Sequence, residues 1–121
     1  ITYIKKTKNK IFIILDCAMN DFLRPALYGA KHEILPTVKN RKKIKKTTEF
    51  VGPICETTDT FLKLSKFQSI KEGDNIAILN TGAYGMSLSS NYNVRPMPIE
   101  ILIKNKKSSV ILKRQKLNEI T

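Results

Sequence analysis

The chain is short of most residues that mark specialised chemistry. It has one histidine, His32, among 121 residues and two cysteines, Cys17 and Cys55. One imidazole with no thiol near it in spacing gives no metal-ligand set, so no metal is expected. Two cysteines without a repeated spacing do not make the framework of a disulfide-built secreted module. No apolar run approaches membrane-spanning length, the longest being residues 11–15, which is the size of a strand. A glycine-rich loop of the phosphate-cradling type is absent, as are internal repeats and low-complexity linkers. The sequence opens Ile-Thr-Tyr-Ile-Lys-Lys, without an initiator Met or the charged and apolar regions of a signal peptide, as though in mid-strand. A cytoplasmic location and no membrane partner are the resulting expectations.

Acidic residues are scarce as well: 10 against 22 Lys and Arg, for a formal charge of +12. Most of the basic residues fall in three clusters, at 5–10, 39–46 and 104–116. Such patches attract phosphate backbones. These, however, are dominated by Lys, interleaved with Asn and poor in aromatics, and they sit where hairpin turns and strand ends are expected. Lys at an exposed edge also discourages edge-to-edge pairing. Solvated turns are the favoured reading and no nucleic-acid partner is expected, with a basic nucleic-acid-binding β-domain as an alternative.

What is present is strand-like patterning. Residues 2–6 and 10–16 read as strands around a Thr7-Lys8-Asn9 turn. Residues 20–28, with Pro25 inside, suit a loop or a short helical turn. Residues 32–38 and 47–54 read as a second strand pair across the basic loop. Asp59 is suited to capping a short helix carrying Phe61, Leu62, Leu64 and Phe67. Residues 71–74 make a turn, 75–80 a buried strand, 82–92 a loop with a short helix, and 98–104 with 108–113 a last hairpin. About seven short strands with little helix predict an all-β sandwich or partly closed barrel, one domain over residues 1–121.

Against this pattern stand Gly52-Pro53-Ile54-Cys55-Glu56-Thr57-Thr58-Asp59 and Gly82-Ala83-Tyr84-Gly85, where a thiol, a carboxylate and a phenol lie at turn-like points. Arg24-Pro25-Ala26-Leu27-Tyr28 precedes them and Ser89-Ser90-Asn91-Tyr92-Asn93-Val94-Arg95-Pro96 follows. In this order and spacing, over about residues 16–103, these segments resemble the C-terminal domain of the diaminopimelate decarboxylases. That family has the alanine-racemase-like fold type, in which a Greek-key β-barrel or sandwich follows a (β/α) barrel.

The resemblance implies pyridoxal 5'-phosphate as cofactor, with its Schiff-base lysine in the (β/α) barrel, of which this sequence has no counterpart. It also implies a homodimer with shared active sites and decarboxylation of meso-2,6-diaminopimelate to L-lysine, the last step of lysine biosynthesis. Cys55 matches the proton-donor position, a role open to a thiol held close to the reacting carbon. Arg24, Tyr28 and Glu56 match substrate-binding positions, and Tyr84 matches one that contacts substrate and cofactor. The chemistry suits them: a guanidinium for the distal carboxylate, a carboxylate for the distal ammonium. Asn20, Asp21 and Asp59 are expected to fix turns, Arg95 to anchor a loop or subunit contact, and Cys17 to pack. Departures include Cys17-Ala18 for a smaller pair, Lys31 for a common aromatic, and Thr57-Thr58 after Cys-Glu. Related ornithine, arginine or carboxynorspermidine decarboxylases are alternatives, although the ornithine type usually has Asp after the cysteine and lacks the Arg-Pro-x-x-Tyr segment. An inactive gene product is a further one.

Overall fold

The computed structural model describes residues 1–39 and 41–120. Its centre is set by a strand in which every second side chain is a buried isoleucine. β2 (Lys10–Ile14) turns Ile11 and Ile13 inward and leaves Phe12 and Ile14 half-buried on the opposite face, the period-two alternation of a pleated strand. β1 (Tyr3–Lys6) pairs with it antiparallel. The intervening turn is closed by Thr7, whose N–H donates to the Lys10 carbonyl at 2.8 Å and whose hydroxyl oxygen accepts from Lys10 N at 3.1 Å.

β5 (Thr47–Val51) lies parallel to β2, and β6 (Thr60–Leu64) antiparallel to β5, giving the order β1-β2-β5-β6. A parallel neighbour cannot be reached by a tight turn. The crossover between β2 and β5 holds α1 (Arg24–Tyr28), β3 (Ile34–Pro36) and β4 (Lys43–Ile44). The core against this sheet contains Ile11, Ile13, Leu15, Phe22, Ile34, Phe50, Phe61 and Phe67. Phe50 is fully buried and meets Phe67 edge to face at 4.9 Å between centroids. Truncating such a side chain to Ala costs about 3–5 kcal/mol.

The remaining strands form pairs. β3 joins β8 (Ile76–Ile78), β4 joins β7 (Phe67–Gln68), and β9 (Glu100–Lys104) joins β10 (Lys107–Leu112). The β9–β10 turn uses Asn105 and Lys106 at φ of 50° and 62°, the paired left-handed residues that match hairpin twist. α1 has only five residues and is defined by its ends. Pro25 starts it with φ already fixed, and Gly29 ends it at φ 64° with its N–H on the Pro25 carbonyl.

The architecture is all-β with short helices. The hairpins at both ends and the turn at 71–74 match expectation. Three readings are corrected. Residues 32–38 do not pair with 47–54: β3 takes β8, because β5 is already flanked by β2 and β6. No helix follows Asp59. Residues 60–64 are a strand with Phe61 inward and Lys63 outward, and the Asp59 carboxylate serves other donors. The strand within 75–80 is three residues long and only half-buried. Among the described residues no sheet closes into a barrel. The basic clusters flank the β1–β2 hairpin, β4 and the β9–β10 hairpin. Part of this charge is paired, Lys10 donating to Glu49 at 2.8 Å and Arg41 pairing with Asp74; Lys63, outside the clusters, also lies 3.4 Å from Glu49.

Candidate active site

β5 ends at Val51 and β6 begins at Thr60, and the loop between them carries Cys55 and Glu56. Its neck is one hydrogen bond, Gly52 N to Asp59 O at 2.9 Å. Its interior is the Asp59 side chain, 2% exposed. One carboxylate oxygen accepts from Ile54 N at 2.8 Å, inside the loop; the other accepts from Met19 N at 2.7 Å, in the segment leading to α1. Gly52 is needed at this neck, since a Cβ there would lie 2.1 Å from Asp59 Oδ2. Burial pushes the Asp59 carboxyl above its ordinary range against the two N–H donors and Arg95, which pull the other way. Asp59 therefore ties the Cys55–Glu56 loop to the segment that presents Arg24.

That segment is braced in turn. Asp21 accepts from Ala18 N at 2.8 Å and from Asn20 Nδ2 at 3.1 Å, and Arg95 reaches both the Asp16 carbonyl and, at 3.7 Å, Asp21. The expectations for Asn20, Asp21 and Arg95 hold in this respect. Cys17 packs against the core, and burial, followed by Asp21 and Asp16, pushes its thiol up to about 12. A thiol held neutral in this way packs rather than reacts. His32 meets Phe22 edge to face at 4.6 Å and bonds the Leu79 carbonyl through Nδ1. Among the described residues no group of three His, Cys, Asp or Glu could hold a metal ion.

The five proposed site residues fall into two groups. At the start of α1, the Arg24 guanidinium carbon lies 5.0 Å from the Tyr84 ring centroid and 6.0 Å from that of Tyr28, within cation–π range. Its Nε is buried without a hydrogen-bond partner, and among the described residues it has no acidic partner within 4.0 Å. Cys55 and Glu56 form the second group, both exposed. Glu56 accepts a hydrogen bond from the Tyr92 hydroxyl, and that carboxylate raises the phenol's pKa above its ordinary value. A recess of about 220 Å³ beside Glu56 is lined by Met19, Asn20, Leu23, Glu56, Ser90 and Tyr92. A wider groove of about 790 Å³ runs from Cys55 and Glu56 along the outer face of the sheet past Val51, Ile14 and Phe12.

A sequence profile described as the C-terminal sheet domain of pyridoxal-dependent decarboxylases matches residues 1–82, about two thirds of the chain. The chain belongs to that family. A diaminopimelate decarboxylase of Helicobacter pylori is 44% identical over 120 residues, covering 99% of this chain and 30% of its own length. A crystal structure of a diaminopimelate decarboxylase from the same organism, complexed with L-lysine, superposes with a TM-score of 0.87 at 45% identity, covering 98% of this chain and 28% of that one. A crystal structure of an Aquifex aeolicus protein gives 0.90 at 40% identity, with coverages of 98% and 29%. The chain thus spans about 30% of the length of the curated relatives it matches. The likeness also extends past residues 16–103, the part in which it is carried by motifs, to nearly the whole chain.

Two residues that shape this region do not stand out in the sequence. Tyr92 lies inside the Ser89–Pro96 motif with nothing local to mark it, and its partnership with Glu56 spans 36 positions. Gly52 reads as an ordinary turn glycine until Asp59 is seen against it. Tyr84 and Cys55 are exposed, and among the described residues the recess beside Glu56 is lined by no lysine that could anchor a pyridoxal group.

Proposed function

We propose that this domain supplies the substrate-selecting and proton-donating side of a diaminopimelate decarboxylase acting on meso-2,6-diaminopimelate to give L-lysine. The observation that carries the reading is Arg24, a guanidinium over the Tyr84 ring with a buried, unpartnered Nε and, among the described residues, no acidic neighbour. A fork-shaped cation kept free of carboxylates is fitted to receive one from a ligand. The distal end of diaminopimelate has a carboxylate for Arg24 and an ammonium for Glu56. Tyr28 walls the Arg24 side, and Tyr84 stands against both substrate and cofactor. Pyridoxal phosphate, when bound, supplies the electron sink for loss of the carboxylate. Cys55 holds a proton on Sγ for the carbon that has lost it, and the Asp59-braced loop keeps that thiol in place.

The division into two groups supports a homodimer in which the Cys55–Glu56 loop serves the partner subunit's cofactor, while Arg24, Tyr28 and Tyr84 serve their own. The test is substrate choice by the full-length enzyme. It should release carbon dioxide from meso-diaminopimelate and reject ornithine and lysine, which lack the distal carboxylate. A preference for ornithine would overturn the assignment.

A further inference from the structure

A carboxylate that is to bind an ammonium must be held in one orientation without being neutralised. Arg or Lys would orient it and cancel its charge. A phenol donates one hydrogen bond and leaves the charge in place. Glu56 has such a partner in Tyr92. The segment around Tyr92 is shaped to present that hydroxyl. The backbone turns through Asn93 and Val94 at φ of 57° and 56°, a region that a β-branched residue adopts only when its surroundings enforce it. The enforcing contacts are present: Asn91 Nδ2 donates to the Arg95 carbonyl at 2.8 Å, Tyr92 N donates to Ser90 Oγ at 3.3 Å, and Arg95 is fastened to the Asp16 carbonyl. Among the described residues that line the recess beside the pair, Glu56 and Tyr92 are the titratable ones.

We propose that Tyr92 is a positioning residue for the distal ammonium of the substrate, acting by orienting the Glu56 carboxylate through its hydroxyl. The strained turn at 93–94 is the device that aims it. This deepens the reading given above and rests on it for the identity of the ammonium.

The experiment uses the full-length enzyme with Tyr92→Phe, which removes one oxygen. KM for meso-diaminopimelate should rise about tenfold, the scale of a hydrogen bond to a charged group, with kcat nearly unchanged. Competitive inhibition by 2-aminopimelate, which keeps the distal carboxylate and lacks the ammonium, should not change. A loss shared equally by both ligands, or an unaltered KM, overturns the proposal. A second measurement does not depend on turnover. The tyrosinate absorbance difference between the native enzyme and Tyr92→Phe isolates the Tyr92 titration, which Glu56→Gln should move to lower pH; an unmoved titration also overturns the proposal. A native enzyme that does not prefer diaminopimelate over lysine would instead overturn the substrate assignment, and the titration would still decide the Tyr92–Glu56 pairing.

Discussion

Replacing Gly52 with alanine tests how the Cys55–Glu56 loop is held. The new methyl carbon would lie 2.1 Å from Asp59 Oδ2, 2.4 Å from Oδ1 and 2.5 Å from Cγ, where non-bonded contacts need roughly 3.5 Å. Backbone preference is not the obstacle, because Gly52 is outside the left-handed region. The carboxylate cannot simply rotate away, since each oxygen is committed to a backbone N–H, Ile54 on one side and Met19 on the other. Orphaning a buried donor costs about 1–3 kcal/mol, so the gross loss is about 2–6 kcal/mol. An Asp59 carboxylate released to water recovers part of its hydration, which its raised pKa identifies as an unfavourable term in the fold. The net expectation is therefore the lower part of the range, about 2–4 kcal/mol. Native-state hydrogen exchange at the Met19 and Ile54 amides reads this directly, as a rate increase of roughly 30- to 900-fold. In an Asp59→Ala background the methyl meets no carboxylate, and Gly52→Ala should then cost less than about 1 kcal/mol. Additive effects of the two substitutions, or unchanged exchange in Gly52→Ala, would refute this account of the neck.

Other consequences follow from the same geometry. In the full-length enzyme, Arg24→Ala should lower kcat/KM for meso-diaminopimelate by about 30-fold to several-thousand-fold, the cost of about 2–5 kcal/mol for losing one partner of a desolvated pair, and should narrow its advantage over lysine; intact kinetics would exclude the carboxylate contact. Cys55→Ala should depress kcat with little change in KM, and mixing it with subunits lacking the Schiff-base lysine should restore part of the activity through hybrid sites. No recovery despite proven subunit exchange would exclude sharing in trans. Under mild alkylation Cys55 should be labelled well before Cys17, which is partly buried and whose thiol is shifted to about 12; peptide mapping that finds Cys17 labelled first would contradict its placement. Two carboxylates should give stability opposite dependences on acid. Glu49, held below its ordinary pKa chiefly by the hydrogen bond from Lys10, contributes stability that is present above its unfolded pKa and is lost as pH falls through its folded value. Asp59, held above its ordinary pKa by burial, weakens the fold when ionised, and that penalty is relieved as pH falls through its raised value. Unfolding titrations of Glu49→Gln and Asp59→Asn should each lose one of these dependences.

Local signals carried much of the architecture, and long-range pairing is where they ran out. The β1–β2 hairpin was legible because Thr7-Lys8-Asn9 separates two alternating runs, and the β9–β10 hairpin because two strand-like runs, 98–104 and 108–113, follow one another closely. Partner choice for β5 was not, since nothing in residues 47–51 states that β2 will lie parallel beside it across a crossover of more than thirty positions. Asp59 misled for a definable reason. An acidic residue before Thr-Phe-Leu is a sound helix cap locally, but its carboxylate is used by Ile54 five residues back and Met19 forty back. The individual side chains Arg24, Tyr28, Cys55, Glu56 and Tyr84 could be named because they stand in motif. Their grouping could not, since it depends on how the 16–23, 52–59 and 81–96 loops come together.

That grouping bears on selectivity. Had either Arg24 or Glu56 been paired with an opposite charge of its own chain, a ligand would have to break an ion pair before making a new one, and the gain from the new contact would be offset by the loss. Among the described residues they are not paired. Each charge instead has a neutral aromatic partner: the ring face of Tyr84 for the guanidinium, the hydroxyl of Tyr92 for the carboxylate. Both partners restrict orientation and leave the charge unspent. On the reading proposed here, the distal end of diaminopimelate, carrying both signs on one carbon, satisfies the two charges together. Lysine reaches Glu56 alone and leaves Arg24 desolvated without a counter-charge, and 2-aminopimelate does the reverse. The two aromatic substitutions should then be separable. Tyr84→Phe keeps the ring beneath Arg24 and should leave discrimination against lysine intact, whereas Tyr92→Phe removes the hydroxyl on which Glu56 depends and should weaken the response to the distal ammonium. Equal effects of both substitutions on the two competing ligands would show that the charges are not held independently.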